Sequence, residues 1–234
     1  WKLNLAFEHE LPWYGIVASA AALLSNVKNG IFYRTLNVGP GFTSPVDGRT
    51  LYYRPAATGR AWTSGDARFG RDSRFGNVYL IDNTGKGKSQ QLTVSLNKPW
   101  SGESDWSWNL GYTYTNATEV ATLGSSTANS GWGGQLGFNV NEPTSNTARY
   151  EIKDRFSGSL SWKHAFFGDY KTEVGVFYEG RSGRPYSYIF SGDANGDGSS
   201  FNDLFYVPNG PGDVLFGSIA SSGANAGKYV PGAT

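Results

Sequence analysis

Hydrophobic and polar residues alternate with a period of two along several stretches of this chain, as they do in β-strands with one apolar face. Residues 155–190 show this pattern on both sides of the short, turn-like segment FFGDY. One parity is mostly apolar and holds Phe156, Leu160, Trp162, Thr172, Val174, Val176 and Tyr178. The other parity is mostly small, polar or charged, so the stretch predicts an antiparallel hairpin with two unlike faces.

Four further stretches are predicted to be extended. Three of them alternate in the same way and cover residues 1–10, 90–97 and 106–115. The fourth, residues 16–37, begins with a run that is apolar on both parities, and we expect one strand that continues through Ile31, Tyr33 and Arg34. With the hairpin, these stretches make six predicted strands.

The connections between the predicted strands are alternately short and long. Long segments rich in Gly, Pro and Asp cover residues 39–88, 122–148 and 191 onward. Outer-membrane barrels have this asymmetry, with short periplasmic turns and long extracellular loops. Aromatic residues collect beside the short turns, as they do at a membrane interface: Trp13, Tyr14, Trp100, Trp106, Trp162, Phe166, Phe167 and Tyr170.

The predicted fold class is therefore all-β, an antiparallel sector of a transmembrane β-barrel with long extracellular loops. Six strands cannot close such a barrel, because the small ones have about eight. Residues 1–208 are assigned to wall strands and their loops, and residues 209–234, rich in Gly and Ala, to an extracellular loop or irregular segment. A soluble β-sandwich with aromatic clusters at one pole is the alternative.

Composition narrows the range of functions. The 234 residues carry a net charge of +1, which gives no electrostatic basis for a nucleic-acid partner. They contain no cysteine, which excludes disulfides and thiolate chemistry, and no methionine, so we expect part of a longer, processed polypeptide. The longest apolar run, residues 16–24, is far shorter than the roughly 20 residues of a membrane helix.

An enzymatic function has little support in these residues. His9 and His164 are the only histidines, and neither has the spacing of a metal or catalytic motif. The segment GKGKS at residues 85–89 departs from a phosphate-binding loop, because position 82 is Asp and a predicted strand follows. We therefore expect no enzyme activity, no catalytic residues and no required cofactor.

One segment has the chemistry of a metal site. Residues 193–198, DANGDG, place carboxylate or amide oxygens at every second position before a glycine, like the first half of an EF-hand calcium loop. The second half differs, because Leu204 stands at the twelfth position, so Asn202 or Asp203, with a carbonyl near Ser199, would have to complete the site. An ordinary Asx- and Gly-rich surface turn is the alternative. The candidate ligands of a structural calcium ion are Asp193, Asn195, Asp197 and Asp203.

Three further groups have both a functional and a plain structural interpretation. Arginines around the first long segment, with aspartates interspersed, either bind lipopolysaccharide phosphate or an anionic substrate, or belong to an ordinary solvated loop of mixed charge: Arg34, Arg49, Arg54, Arg60, Arg68, Arg71 and Arg74, with Asp47, Asp66, Asp72 and Asp82. Charges on the polar parity of the hairpin either line a lumen or pair across strands: Lys163, Glu173, Glu179 and Arg181. Three aromatic residues either stack on a sugar or peptide ligand, or lie at the lipid interface or pack within a loop: Tyr186, Tyr188 and Phe190.

Several separated segments resemble one protein family. They are GRSGRPYSYIFSGDANGDGSSFNDLFYVP at residues 180–208, NVYLIDNTGKGKSQQLTVSLNKPW at 77–100, and LGYTYTNATEV and SSTANS within 110–130. Together they resemble Oar-like TonB-dependent outer-membrane receptors over most of residues 15–208. The resemblance implies the late part of a barrel of about 22 strands, with a plug domain ahead of it. The plug, the TonB box and the final barrel strands are expected to lie outside this sequence.

The resemblance also implies a function, that of a transporter or receptor in the cell outer membrane that moves a large solute, driven through TonB. The implied partners are outer-membrane lipid and lipopolysaccharide, the TonB complex through the plug, and an unidentified solute. An adhesive surface protein without transport and a secreted β-sandwich that binds carbohydrate are the alternatives. A barrel requires five apolar side chains to meet lipid in one band about 25 Å tall, whereas a sandwich turns them towards a second sheet: Leu92, Val94, Leu96, Trp108 and Leu110.

Overall fold

The computed structural model of the protein describes residues 1–44, 47–53, 70–102, 104–139, 141–210, 213, 217–219 and 229–231. These residues form mostly antiparallel β-sheet with one short helix, so the all-β prediction is confirmed. No helix in these ranges is long and apolar enough to cross a membrane. Four residues of the predicted charged segment lie outside the described residues: Arg54, Arg60, Asp66 and Arg68.

The strands of the described chain are short in the connecting segments and long in the main sheet. In chain order they are β1 (Lys2–Glu10), β2 (Val17–Asn26), β3 (Gly30–Thr35), β4 (Phe42–Thr43), β5 (Thr50–Leu51), β6 (Tyr79–Thr84), β7 (Lys88–Lys98), β8 (Trp106–Glu119), β9 (Asn146–Thr147), β10 (Asp154–Phe167), β11 (Tyr170–Arg181), β12 (Gly217–Ile219) and β13 (Tyr229–Pro231). The helix α1 covers Ala128–Gly133.

The chain divides into two compact units. The first unit consists of Trp1–Gly30, Thr84–Val120 and Ser145–Tyr186, and the second of Ile31–Asn83, Ala121–Thr144 and Ser187–Thr234. The first unit holds the main sheet, in the order β1-β2-β7-β8-β10-β11, with β9 paired to the end of β8. All six predicted strands of this sheet are present, and its two edges are β1 and β11. Within the described residues the sheet does not close on itself.

The register of the sheet puts the two parities of every strand on opposite faces. In its centre, for example, Leu96 stands opposite Leu110, and Leu110 stands opposite Gly158. One face, here called the apolar face, carries Leu3, Leu5, Phe7, Ala18, Ala20, Ala22, Leu92, Val94, Leu96, Trp106, Trp108, Leu110, Tyr112, Tyr114, Phe156, Leu160, Trp162, Val174, Val176 and Tyr178. The opposite, polar face carries mostly Ser, Thr, Asn, Gly and charged residues.

The apolar face is open. Leu110 and Val94 are each 42% exposed, Val174 is 55% exposed, and Trp108 is half-buried. A β-sandwich would bury such residues against a second sheet about 10 Å away. Within the described chain these side chains have no such layer against them, so the apolar alternation of the first unit is not explained by a sandwich core.

Aromatic rings border the apolar face at the end where the turns are short. Trp162 lies 6.3 Å from Trp106 and 5.6 Å from Phe166, measured between ring centroids. Phe167 and Tyr170, which flank the turn between β10 and β11, are about four-fifths exposed, at 79% and 81%. The aromatic cluster predicted beside the short turns is therefore present.

A second group of rings lies at the opposite ends of the same strands. Tyr112 stands opposite Phe156 in the register, and the Phe156 ring is 6.0 Å from that of Tyr178. From Trp106 to Tyr114 along β8 the distance is about 26 Å at about 3.3 Å per residue. On β8 and β10, Leu110 and Leu160 thus lie between two aromatic rows.

The polar face is held by contacts across the strands. The hydroxyl oxygens of Thr93 and Thr113 are 3.2 Å apart. Charged residues of the hairpin form pairs: Lys163 with Glu173 at 4.0 Å, Arg155 with Glu179 at 2.9 Å, and Arg181 with Glu179 at 3.8 Å. The first two pairs join β10 to β11, as the cross-strand interpretation predicts, whereas Arg181 and Glu179 lie on the same strand. Exposed pairs of this kind contribute little to stability.

The second unit consists of the segments that connect the strands of the main sheet. Its small sheets pair β4 with β5 and β12 with β13, while β3 pairs with β6. It has a hydrophobic core of its own, made by Phe32, Val38, Leu51, Tyr52, Tyr53 and Trp132. The segments predicted as long polar loops therefore include a packed structure.

The prediction of one strand over residues 16–37 is wrong. β2 ends at Asn26, and β3 begins at Gly30 and pairs with β6, not with β7. At the break, the backbone N–H of Val27 bonds to the carbonyl of Gly87. The apolar run could not reveal this change of partner, because both strands are extended.

The prediction that residues 209–234 lack strands is also wrong in part. Within this stretch Gly217–Ile219 and Tyr229–Pro231 pair in an antiparallel ladder of three residue pairs. These strands are only three residues long, and Gly- and Ala-rich sequence around them gives no alternation to detect.

Candidate functional site

The DANGDG segment forms a tight loop within the second unit. The Asp193 carboxylate accepts three backbone N–H bonds: from Gly196 and Asp197 at Oδ1 (2.7 and 3.1 Å) and from Gly198 at Oδ2 (2.8 Å). Gly196 and Gly198 have φ of +80° and +98°, conformations that glycine adopts without strain. The loop is thus set by contacts within six residues of sequence.

Asp197 lies at the centre of a buried polar cluster. Its Oδ2 accepts hydrogen bonds from the side-chain amides of Asn195 (3.2 Å) and Asn202 (2.9 Å), and its Oδ1 accepts the backbone N–H of Ser199 (2.7 Å). We call the following five residues the polar cluster: Asp193, Asn195, Asp197, Asn202 and Asp203. All of them except Asp193 are at most 1% exposed.

Asp203 joins the polar cluster to a buried arginine. Its Oδ2 accepts the backbone N–H of Ala194 at 2.9 Å, whereas its Oδ1 lies 3.6 Å from Nη1 of Arg49 and makes no hydrogen bond. Arg49 also bonds to Asp47 through Nε (2.5 Å) and to the carbonyl of Leu204 through Nη2 (2.8 Å). Leu204 therefore contributes a backbone oxygen to the arginine and nothing to the polar cluster.

Burial makes two of these carboxylates hard to ionise. Burial raises the pKa of Asp197 to about 7, against the opposing effect of its bonds from Ser199 and Asn202. Burial likewise raises the pKa of Asp203 to about 6, although the bond from Ala194 and the charge of Arg49 act in the other direction. The protein thus keeps two carboxylates in a place where their negative charge is poorly compensated.

The loop is anchored to the core of the second unit at several points. The backbone N–H of Tyr52 bonds to the carbonyl of Asn195 at 2.7 Å, and the Tyr53 hydroxyl donates to the carbonyl of Asp193 at 3.0 Å. Ser199 Oγ donates to the carbonyl of Gly133 at 3.2 Å. These bonds hold the polar cluster as part of a folded body.

Gly196 is the position of the loop that is least tolerant of a side chain. A Cβ there would lie 2.7–2.9 Å from the Tyr53 ring, in a backbone conformation that L-residues rarely adopt. Gly196→Ala is expected to reduce the free energy of local opening by about 2–4 kcal/mol, from left-handed strain and overpacking together. Native-state hydrogen exchange at the Ser199 amide measures this free energy.

Gly48→Ala is the matched control for that substitution. Gly48 has φ of +74°, nearly the same as Gly196, but a Cβ added there would meet nothing within 4 Å. The Gly48→Ala substitution should therefore lower the free energy of local opening only by the backbone strain of about 1–2 kcal/mol. Equal costs at the two sites would mean that the Tyr53 ring yields to the new methyl group and does not fix the loop.

The structure brings the predicted ligand residues together. The sequence named Asp193, Asn195, Asp197 and Asp203, and left Asn202 as a substitute; all five lie in the polar cluster. The sequence did not reveal that Arg49 is buried beside them, because the two segments are far apart along the chain and no local pattern connects them.

The other predicted groups have structural partners. Arg34 pairs with Asp82 at 3.4 Å and Arg74 with Asp72 at 2.6 Å, which favours the mixed-charge interpretation of that segment. The Phe190 ring packs 4.8 Å from that of Phe205, as a loop aromatic does. Other predicted residues remain accessible or lie apart from the polar cluster: Tyr186 and Tyr188 are largely exposed, and His164 bonds to Asp105 at 2.6 Å.

Among the described residues, no three His, Cys, Asp or Glu side chains are arranged to hold a metal ion by themselves, and the polar cluster depends on two asparagines for its remaining oxygens.

Comparison with known proteins adds nothing to this geometry. No family model, curated protein or solved structure matches the chain. The resemblance described above therefore rests on the quoted residues alone.

Proposed function

We propose that the main sheet is a sector of a transmembrane β-barrel wall in the outer membrane. The observation that carries the proposal is the apolar face: six strands present a continuous apolar surface that stays open in the described chain. Soluble monomers rarely expose apolar patches above a few hundred Å². In hydrocarbon the same surface needs no covering layer.

The dimensions of the apolar face fit a bilayer. The roughly 26 Å between Trp106 and Tyr114 corresponds to about 20 Å of depth for a strand tilted by about 40°, against an apolar band of about 25 Å in known barrels. Tyrosine and tryptophan at both ends of the band match the two aromatic girdles of such barrels. Tyr112 also donates its hydroxyl to Asp154 at 2.6 Å, as an interfacial ring with a polar end does.

The lengths of the connections indicate which end of the sheet faces the periplasm and which faces the cell exterior. All three short turns lie at one end of the sheet, and every long connection leaves from the other end. We assign the short turns to the periplasmic side and the long connections to the cell exterior, where they meet lipopolysaccharide. The edges β1 and β11 must pair with further strands, because unpaired backbone groups are very costly in lipid.

The more specific part of the proposal is that this wall belongs to an Oar-like TonB-dependent receptor that transports a large solute. The resemblance of residues 77–100, 110–130 and 180–208 supports it. In that case the sheet itself does no chemistry. Its apolar face contacts lipid, its polar face lines the lumen, and its strands hold the external segments in place. Loss of solute uptake on removal of TonB, with the protein still in the membrane, tests this part.

A nitroxide scan along β7 tests the barrel. Single cysteines at residues 92–96, in the full-length polypeptide reconstituted in liposomes and otherwise free of cysteine, are spin-labelled. Labels at Leu92, Val94 and Leu96 should collide readily with oxygen, which concentrates in lipid, and poorly with a water-soluble nickel chelate. Labels at Thr93 and Ser95 should show the reverse, so that accessibility alternates with a period of two.

The same scan separates the alternatives. In a soluble sandwich, the labels at Leu92, Val94 and Leu96 would be shielded from both reagents. If the face were simply exposed to water, all five positions would collide with the nickel chelate. Either result would contradict the barrel.

A further inference from the structure

The polar cluster and the residues around it hold more negative charge than the protein compensates. Asp193, Asp197, Asp203 and the adjoining Asp47 bring four carboxylates, and Arg49 brings one guanidinium, so full ionisation leaves a charge of −4 + 1 = −3. Asp197 and Asp203 are at most 1% exposed. Buried carboxylates persist in proteins when they are paired or bind a cation, since their desolvation is costly.

Two buried oxygens of the cluster have no hydrogen bond. They are Asn202 Oδ1 and Asp203 Oδ1, and both residues are 0% exposed. The Asn202 side chain is directed into the cluster, because its amide nitrogen is 2.9 Å from Asp197 Oδ2. Unsatisfied buried oxygens are rare in native proteins and call for an explanation such as a bound ion.

In the absence of an ion, the orientation of the Asn202 amide is set by the bond of its nitrogen to Asp197 Oδ2. The nitrogen and oxygen of this amide differ only in their hydrogen-bond partners, and the oxygen has none. A rotation by 180° would place this oxygen beside Asp197 Oδ2, which is unfavourable unless a cation lies between them. Asn195 differs, because its Oδ1 already accepts the N–H of Asp197 at 2.8 Å.

We propose that the polar cluster is a calcium site, in which oxygens of Asp193, Asn195, Asp197, Asn202 and Asp203 surround one ion. Calcium accepts six to eight oxygen ligands in a flexible arrangement, and carboxylate and amide oxygens are its usual ligands. The cluster has no histidine or cysteine, the ligands that zinc and copper prefer. Magnesium is a poorer fit, because it requires a small octahedron and retains several waters.

In this site Asn202 and Asp203 supply the oxygen ligands that the glutamate at the twelfth position supplies in an EF-hand loop. Both residues contact the DANGDG turn, Asn202 at Asp197 and Asp203 at Ala194, and they replace the missing ligand at Leu204. The role of the ion is to fix residues 193–204 against Tyr52 and Tyr53, and through Asp203 against Arg49. The proposal concerns the second unit only and holds whether or not the main sheet crosses a membrane.

Calorimetric titration of the full-length polypeptide with CaCl₂, after removal of divalent ions, tests the site. Asp197→Asn should abolish the binding of one calcium ion per chain or weaken it by at least about 100-fold, because it removes the central charge. Asp72→Asn is the matched control, since Asp72 is an aspartate of the same unit that pairs with Arg74 at the surface; it should bind as the wild type does.

Asn202→Asp keeps the proposal testable if Asp197→Asn fails to fold. The added carboxylate should tighten calcium binding by about tenfold if residue 202 is a ligand, and should make protection of the loop from protease depend on calcium. Equal calcium stoichiometry in wild type, Asp197→Asn and Asp72→Asn would overturn the proposal. So would unchanged calcium affinity in a folded Asn202→Asp variant.

Discussion

If the main sheet is a barrel wall, as proposed above, Leu110→Arg is expected to destabilise the protein in a bilayer by about 2–4 kcal/mol, the cost of an arginine on a lipid face near the bilayer midplane. Leu110 lies halfway between Trp106 and Tyr114 on one face of β8, so a barrel places it close to the membrane midplane. In water, by contrast, an arginine at a side chain that is 42% exposed would change stability little. Denaturant titration of the full-length polypeptide refolded into lipid vesicles measures the difference.

Two control substitutions on the same strand make this result specific. Asn109→Arg introduces the same side chain on the polar face, opposite Asn97 and Ser159, and should be nearly neutral. Tyr114→Arg lies at the aromatic row and should cost only about 0–1 kcal/mol, because the penalty falls towards the interface. A penalty that is equal at residues 110 and 114, or larger at 109, would count against the membrane assignment.

The main sheet was predictable because its signal is local. A strand with one apolar face repeats every two residues, and neighbouring strands joined by short turns have little choice of partner. β1, β7, β8, β10 and β11 and their two faces follow from this rule, whereas the faces of β2 do not, because its apolar run covers both parities. The partner of β3 could not be read in this way, because pairing with β6 crosses more than forty residues without any alternation to mark it.

The second unit was not predictable for a related reason. Its core joins residues such as Phe32, Tyr53 and Trp132, which come from three separate connecting segments that each have low hydrophobic content. The DANGDG loop was an exception, because the bonds of Asp193 to the next few N–H groups are local. The burial of the loop, which distinguishes a site from a surface turn, depends on contacts with distant segments and became visible only in the structure.

Arg49→Ala is expected to be among the most damaging substitutions in the second unit, with a loss of about 3–5 kcal/mol in the free energy of local opening. The Arg49 side chain is only 3% exposed, and its guanidinium lies 4.9 Å from the ring centroids of both Phe138 and Phe190. Truncation would leave the buried carboxylate of Asp203 and the partly buried carboxylate of Asp47 without their counter-charge. Hydrogen exchange at the Leu204 amide, which bonds to the carbonyl of residue 137, measures this loss in calcium-free buffer.

Arg74→Ala provides a matched comparison, because Arg74 also pairs with an aspartate two residues earlier and also lies over an aromatic ring, that of Phe75. Its side chain is 81% exposed, so water and salt screen the pair and its removal should leave the exchange rate at Leu204 unchanged. Arg49→Lys should recover little of the lost stability, since lysine lacks the planar fork that contacts Asp47, Asp203 and the Leu204 carbonyl together. If Arg49→Ala were as mild as Arg74→Ala, the carboxylates around Arg49 would have to be protonated or hydrated when the arginine is absent, and Arg49 would not be the counter-charge that stabilises this part of the second unit.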